Sequence, residues 1–154
     1  MTFETPIDGD TLFRLHRTRP DRGTVHGTAV AMSGRGVLVL GASGTGKTGL
    51  AAQLMVMGGH LVSDDLVVLI RDGETLKAAR PDAGPAALEL RGLGIVTVPT
   101  VGPVPLAGVL QLGPSSGRLP DAEVVTLLGC RLPLLRHPAR YDTAAKLSLW
   151  LTTP

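Results

Sequence analysis

The fold is decided by residues 37–57, which read VLVLGASGTGKTGLAAQLMVM. The first four residues form a continuous apolar run, which is typical of a buried strand. A glycine-rich stretch follows, and then Leu50, Leu54 and Met57 recur at the spacing of one helical face. The sequence therefore predicts a strand, a tight turn and a helix that ends at the glycine pair 58–59, because glycine tolerates the conformation of a helix end.

Hairpin signals surround this unit. Residues 25–32 are predicted as a strand that returns through a glycine turn into 37–40, and Asp72 with Gly73 marks a second hairpin. A hairpin beside the strand that enters the helix excludes an all-parallel sheet. We therefore expect an α/β fold in which a mixed sheet surrounds one central helix. The other predicted elements are strands at 60–63, 66–70, 75–79, 109–112 and 124–128 and a helix at 142–151 capped by Asp142.

Length and composition limit the class of protein. A chain of 154 residues is the size of one domain, so we place residues 1–154 in a single domain. Hydrophobic residues make up 44% and charged residues 18%, values that exclude a disordered chain. With 2 Phe, 1 Tyr and 1 Trp, the chain has too few aromatics to stack the bases of single-stranded nucleic acid. A net charge of +2 gives no electrostatic reason to expect a nucleic-acid partner either.

The same data indicate the compartment. The single cysteine, Cys130, excludes an intrachain disulfide framework and a cysteine-rich zinc site. No apolar stretch reaches the roughly 18 residues that a membrane span needs, and residues 1–10 do not resemble a secretory signal. We therefore expect a cytoplasmic protein without a membrane partner.

Residues 41–48, GASGTGKT, fit the phosphate-loop (P-loop) pattern G-x-x-x-x-G-K-[ST] at every position. Glycines let successive amide groups point at a phosphate chain, and the following helix adds the positive end of its dipole. The lysine is expected to reach the β- and γ-phosphates, and the threonine hydroxyl is expected to bind Mg²⁺. The predicted nucleotide-binding residues are Gly41, Ser43, Gly44, Thr45, Gly46, Lys47 and Thr48.

Two adjacent carboxylates end the strand that follows the predicted helix. Asp64 stands 17 residues after Lys47, and Asp65 follows it directly. The topology returns both to the sheet edge that carries the phosphate loop. One carboxylate can hold the metal while the other accepts the proton of an attacking hydroxyl. The pair therefore favours phosphoryl transfer over nucleotide binding alone.

The chain resembles the catalytic domain of the HPr kinase/phosphorylase family. The matching segments are VHG at 25–27, the loop at 41–48, LVSDD at 61–65 and LELRGLGI at 88–95. This resemblance implies a fold similar to the nucleotide domain of phosphoenolpyruvate carboxykinase. It also implies the short form known from alphaproteobacteria, which lacks the separate amino-terminal domain of the longer enzymes.

The resemblance implies an ATP- and Mg²⁺-dependent protein-serine kinase that phosphorylates HPr or its nitrogen-system relative and so regulates the phosphotransferase system. It implies that Asp64 is the base, with His26 beside it, and that Lys47 and Arg91 stabilise phosphate charge. It further implies that Thr48, Asp65 and Glu89 bind the metal. It also implies a homo-oligomer, commonly a hexamer.

The chain departs from the longer enzymes in two places. Residues 100–108 carry no charge where the family has a basic mobile loop, so the reverse phosphorylase reaction is not expected. Arg140 stands in a Pro-Ala-Arg segment that matches the family's Pro-Gly-Arg only loosely. Two other functions stay open from sequence: a P-loop kinase of small molecules, and a non-catalytic ATP-binding regulatory module.

Overall fold

The structure is a computed structural model that describes residues 6–115 and 117–154. Its strands are β1 (Pro6–Asp8), β2 (His16–Arg19), β3 (Arg22–His26), β4 (Thr28–Met32), β5 (Arg35–Leu40), β6 (His60–Ser63), β7 (Leu66–Asp72), β8 (Thr75–Ala79), β9 (Ala87–Leu90), β10 (Gly94–Thr97), β11 (Val104–Leu112), β12 (Glu123–Leu127) and β13 (Cys130–His137). Its helices are α1 (Gly9–Leu12), α2 (Lys47–Val56) and α3 (Thr143–Thr152). Within these two ranges, no helix is long and apolar enough to cross a membrane.

One curled sheet contains every described strand except β9 and β10. Its first arm has the order β1-β12-β13-β11-β5-β4-β6, and its second arm has the order β2-β3-β7-β8. Strand β11 joins the arms because its start pairs with β8, whereas its remainder lies between β5 and β13. The β5–β11 pair is parallel and the β4–β5 pair is antiparallel. The predicted α/β fold with a mixed sheet is therefore confirmed.

The first arm is covered on both faces. Leu38 lies in a core shared with the second arm, whereas its neighbour Val39 lies in a core shared with the helices. Both side chains are fully buried, at 0% exposure. Successive side chains of a strand point to opposite faces, so a strand buried on both faces needs an uninterrupted apolar run. This explains the pattern of residues 37–40.

Helices α2 and α3 pack on the same face of the first arm. Leu50 and Leu54 of α2 share one buried cluster with Leu147 and Leu151 of α3. The sheet therefore lies under α2 and does not surround it, and that part of the prediction is wrong. Met57, predicted on the buried face, is 45% exposed because α2 ends before it.

The predicted strand 25–32 is two strands. The chain breaks at Gly27, where β3 leaves the second arm and β4 enters the first. A Cβ atom at Gly27 would lie 2.8 Å from the carbonyl oxygen of Val39. The crossing is therefore tight enough to require glycine.

The carboxyl-terminal third contains the largest omission of the sequence analysis. Strand β13, which lies inside the sheet between β11 and β12, was not predicted because Pro133 stands in its middle, where proline argues against a central strand. Helix α3 begins one residue later than predicted. Asp142 is its N-cap residue but makes no capping hydrogen bond, because its carboxylate pairs with Lys146 at 3.1 Å.

Candidate nucleotide-binding and phosphoryl-transfer site

Four strands of the first arm end at the same edge of the sheet. Strands β5, β11 and β13 are parallel, and β6 shares their direction because both β5 and β6 are antiparallel to β4. Along this edge the acidic pair follows β6, the glycine-rich loop (residues 41–46) follows β5, and residues 138–140 follow β13. Ligands of α/β folds bind at such carboxyl edges.

The glycine-rich loop leads directly into α2. Gly44 and Gly46 have φ angles of +84° and +102°, a region that side chains other than glycine rarely adopt. Thr45 closes the turn, since its hydroxyl donates to the carbonyl oxygen of Ala42 at 2.6 Å. Gly46 is the N-cap of α2 and supplies no side-chain acceptor. The first amide groups of the helix are thus left to an external acceptor, which is the arrangement of an anion site.

Lys47 lies across the glycine-rich loop. Its Nζ donates to the carbonyl oxygens of Gly41 at 2.7 Å and Ala42 at 3.1 Å. The ammonium group is therefore held at the loop by neutral acceptors and has no carboxylate partner there. This leaves Lys47 available for a charge-assisted hydrogen bond to a phosphate chain.

Asp64 connects the acidic pair to the start of α2. Its Oδ1 accepts a hydrogen bond from the hydroxyl of Thr28 at 2.8 Å. The hydroxyl of Thr48 lies 3.3 Å from both Oδ1 and Oδ2. Thr28 is fully buried on β4, so it fixes the carboxylate from below. The contact between Thr48 and Asp64 joins the same two residue types that hold Mg²⁺ in P-loop proteins.

Thr28 is a residue of this site that sequence pattern does not indicate. Its only signal was a hydroxyl inside an otherwise apolar stretch, which is an ordinary feature of strands. The pairing of β4 with β6 brings Thr28 to Asp64, a residue 36 positions away in the chain.

Asp65 occupies the turn between β6 and β7. Its φ angle is +72° and its side chain is exposed. The backbone holds it there, because its carbonyl oxygen accepts the amide of Gly27 at 3.1 Å. The turn is closed by Ser63, whose hydroxyl donates to the carbonyl oxygen of Leu66 at 2.5 Å. A positive φ angle is uncommon outside glycine, although aspartate tolerates it better than most residues.

His26 reaches the same turn through the backbone. It is the last residue of β3, it pairs with Leu66 of β7, and it directly precedes Gly27. Its side chain is exposed. The structure therefore brings the backbone of His26 to the acidic turn.

Glu89 and Arg91 lie on a separate element, the β9–β10 hairpin. Glu89 faces Ile95 across the two strands, and Arg91 stands in the connecting turn. Both side chains are exposed, whereas Leu88 is 2% exposed and packs in the cluster that contains α2. In residues 6–115 and 117–154, no three His, Cys, Asp or Glu side chains form a metal-binding cluster. Glu89 and the aspartate pair thus do not make a ready protein cage for a cation.

Residues 138–140 form a turn that touches the glycine-rich loop. A Cβ atom on Gly46 would lie 2.9 Å from the Cβ of Ala139. The hydroxyl of Thr143, 2% exposed, donates to the carbonyl oxygen of Pro138 at 2.7 Å and accepts the amide of Arg140 at 2.9 Å. This turn therefore rests on the start of α3. The side chain of Arg140 is exposed.

Among the described residues, Cys130 and Asp142 have pKa values shifted from their ordinary ones. Burial raises the pKa of the Cys130 thiol above its ordinary value. The hydrogen bond from Lys146 lowers the pKa of Asp142.

The residues at this edge define a class of protein. It is a mixed α/β fold with a glycine-rich loop before a helix and a carboxylate beside the helix threonine. Residues 19–102, more than half of the chain, match the family described as the HPr Serine kinase C-terminal domain. The chain belongs to this family.

Similar proteins carry the same family name. The chain is 41% identical over 102 residues to the HPr kinase/phosphorylase of Limosilactobacillus reuteri, covering 66% of this chain and 32% of that protein. It is 45% identical over 78 residues to the HPr kinase/phosphorylase of Bacillus cytotoxicus, covering 50% of this chain and 25% of that protein. The chain thus spans a quarter to a third of the length of these relatives.

A solved structure shares the fold. The Hpr(Ser) kinase/phosphatase from Coxiella burnetii matches 83% of this chain and 92% of its own with a TM-score of 0.72 and 23% identity. At this identity, the likeness supports the fold alone.

Proposed function

We propose that this chain is a catalytic domain, spanning residues 1–154, of an ATP- and Mg²⁺-dependent protein-serine kinase that phosphorylates an HPr-like phosphocarrier protein. The observation that best supports this proposal is the contact of Thr48 with Asp64 at the end of the glycine-rich loop. Membership of the HPr kinase family supports the acceptor class, which includes the nitrogen-system relative of HPr. The reaction would regulate the phosphotransferase system, and we expect it in the cytoplasm.

The residues present fit a nucleotide with its metal. The amides of the glycine-rich loop and α2 would bind the phosphates, and Lys47 would leave its two carbonyl acceptors for the β- and γ-phosphates. Mg²⁺ would be held by Thr48, one aspartate, phosphate oxygens and water, since this cation needs few protein ligands beside a nucleotide. When bound, the metal neutralises charge that develops on the transferred phosphoryl group.

The contacts of Asp64 favour a division of labour that differs from the one expected from sequence. Asp64 accepts hydrogen bonds from Thr28 and Thr48, which suits the metal side of the site. Asp65 is exposed at the turn, where an incoming serine can reach it. In this assignment Asp65 takes the serine proton while the serine oxygen bonds to the γ-phosphorus, and the bond to the β-phosphate breaks to release ADP.

Three further residues complete the proposed site. His26, beside the acidic turn, would tune the charge of the base. Arg91 would neutralise phosphate charge, and Glu89 would join the metal through water once the β9–β10 hairpin closes on the ligand. The hairpin also exposes Leu93 at 87% and Ile95 at 75%, an apolar surface in keeping with the proposed homo-oligomer.

A phosphorylation assay tests the proposal. The chain is incubated with radiolabelled ATP, Mg²⁺ and HPr-like acceptors, and the label is mapped to serine by mass spectrometry. We expect Lys47→Ala to lower serine phosphorylation at least a hundredfold, because the mobile cation is lost while the backbone amides remain. Lys77→Ala is the matched control, since Lys77 pairs with Asp72 on an exposed hairpin.

The outcomes separate the functions. Label on a small molecule instead of protein would identify a small-molecule kinase, and bound ATP without transfer to any acceptor would identify a regulatory module. Equal ATP affinity and turnover in the Lys47→Ala variant would contradict the phosphate-binding loop itself.

A further inference from the structure

The loop, the acidic pair and the neighbouring strands lie in a fixed order along the carboxyl edge of the first arm. The acidic pair lies on the β6 side of the glycine-rich loop, and β11 and β13 lie on the other side. If the transferred phosphate lies at the acidic pair, the opposite end of the nucleotide can extend over β11 towards β13. Adjacent strands are about 4.8 Å apart, so β13 lies roughly 10 Å from β5 along the sheet. The ribose and base of a nucleotide span such a distance.

A cavity of about 480 Å³ lies at this position, between β13 and α3. It lies on the same face of the sheet as α2, because α2 and α3 share one buried cluster. Its volume falls within the range of about 300–1,000 Å³ that is typical of small-molecule sites. Its walls include the apolar side chains of Leu135, Leu147 and Trp150, the polar side chains of His137 and Lys146 near the end of β13, and the acidic side chain of Glu123.

The end of this cavity adjoins the glycine-rich loop. His137 ends β13, and its Nε2 is 3.2 Å from the Nζ of Lys146. The turn that follows brings Ala139 against Gly46, and Thr143, which also lines the cavity, holds that turn by two hydrogen bonds. The cavity therefore adjoins the turn that contacts the glycine-rich loop, while no residue of 41–48 lines it.

We propose that the cavity between β13 and α3 binds the nucleoside end of the nucleotide. Its apolar walls suit a planar heterocycle, and His137 and Lys146 lie where ribose hydroxyls or ring nitrogens would need partners. This assignment rests on the proposed function and supplies what the sequence lacked, a site for the base.

A second cavity of about 360 Å³ opens near the same edge. Leu112 and Gly113 line it beside Leu12 and Phe13, and Phe13 packs against the other core. It is smaller, but it also adjoins the glycine-rich loop, since a Cβ atom on Gly41 would lie 3.2 Å from the Cβ of Leu112. It is the alternative that the experiment must separate.

Trp150 provides a direct readout, because it is the only tryptophan of the chain and lines the proposed cavity. ADP and inorganic pyrophosphate are titrated separately while its fluorescence is recorded, and the affinity of each is measured by calorimetry. Both ligands carry the diphosphate that fits the glycine-rich loop, but ADP alone carries a nucleoside. We expect both to bind and ADP alone to shift the emission of Trp150.

Two filling variants test the location. Ala122 is exposed and lines the proposed cavity, whereas Leu12, 52% exposed, lines the second cavity. We expect Ala122→Phe to weaken ADP at least tenfold and to leave pyrophosphate unchanged. Leu12→Phe should leave both affinities unchanged. Circular dichroism and melting temperature check that each variant folds.

The possible failures are distinct. A loss of ADP affinity in Leu12→Phe but not in Ala122→Phe would overturn the proposal in favour of the second cavity. Equal affinities for ADP and pyrophosphate with no change in the emission of Trp150 would mean that the nucleoside lies in solvent. That result would overturn this proposal and leave the proposed phosphate-binding loop unaffected. Binding of neither ligand would contradict the proposed function as well.

Discussion

The glycine-rich loop with its acidic turn and the β9–β10 hairpin both carry predicted site residues, but the fold holds them very differently. Asp64 is fixed by Thr28, a fully buried residue, and Lys47 is tied to two carbonyl oxygens. On the hairpin, Leu88 is buried, whereas all four residues of β10 are exposed.

The difference teaches where preorganisation lies. Groups that are held before the ligand arrives need no reorganisation during phosphoryl transfer. Asp64 meets this condition, whereas Lys47 would first have to leave its carbonyl acceptors, and Glu89 and Arg91 lie on a hairpin with one buried anchor, Leu88. In the proposed site, the hairpin is thus the part that a ligand or partner would have to position.

The largest expected effect separates the two aspartates. Asp65→Asn should keep nucleotide and Mg²⁺ binding but lower serine phosphorylation by roughly 10²–10⁴-fold, the contribution of a general base. Asp64→Asn should instead weaken Mg²⁺-dependent nucleotide binding, because a hard cation loses a charged oxygen ligand. Binding is measured by calorimetry, and transfer is measured at saturating ATP and Mg²⁺.

The reverse pattern would restore the assignment expected from sequence, with Asp64 as the base and Asp65 at the metal. Equal binding defects in both variants would mean that the pair is one metal site. His26 would then be the next candidate for the base.

An intermediate effect tests the anchor of the hairpin. Leu88→Ala should lower the free energy of unfolding by about 2–5 kcal/mol, because a buried leucine leaves a cavity under α2. It should also raise proteolytic cleavage at 91–94 and reduce activity. Ile95→Ala is the matched control: Ile95 is 75% exposed, and its removal should change stability by less than about 0.5 kcal/mol.

Urea unfolding and limited proteolysis measure both variants. If Leu88→Ala lowers the free energy of unfolding no more than Ile95→Ala does, the hairpin is not anchored through Leu88. The contrast between the two regions then has another cause.

The smallest effect concerns Cys130, which lies in the core away from both regions. Burial raises its pKa above the ordinary value of 9.0. The folded state therefore keeps the thiol neutral while the unfolded state ionises, so stability is complete below pH 9.0 and falls as pH rises through the folded pKa. Compared with Cys130→Ala, the native chain should lose no more than about 1.4 kcal/mol per pH unit.

Unfolding at pH 8 to 10.5 measures this difference. Parallel slopes for the two chains would show that the thiol ionises equally in both states.

Local pattern was sufficient for much of the fold. The strand, glycine-rich turn and helix of 37–56 and the hairpins β4–β5 and β7–β8 were predicted because turn glycines and apolar periodicity act within a few residues. Strand β13 was not, because Pro133 breaks the local pattern while its neighbours in the sheet stabilise the strand. The break at Gly27 was not predicted because the residue that requires glycine there, Val39, lies on another strand.

The sequence by itself determined the glycine-rich turn before a helix, and GASGTGKT predicts a backbone whose amides and one lysine can bind an anion, with two aspartates after the next strand. Only the tertiary structure decided which aspartate meets Thr48, that Thr28 supports it from β4, and that Ala139 closes on Gly46. The physical reason is the separation along the chain between the residues that interact. Backbone conformation and charge are properties of neighbouring residues, whereas these contacts join segments that meet only when the sheet has paired β4 with β6 and β11 with β13.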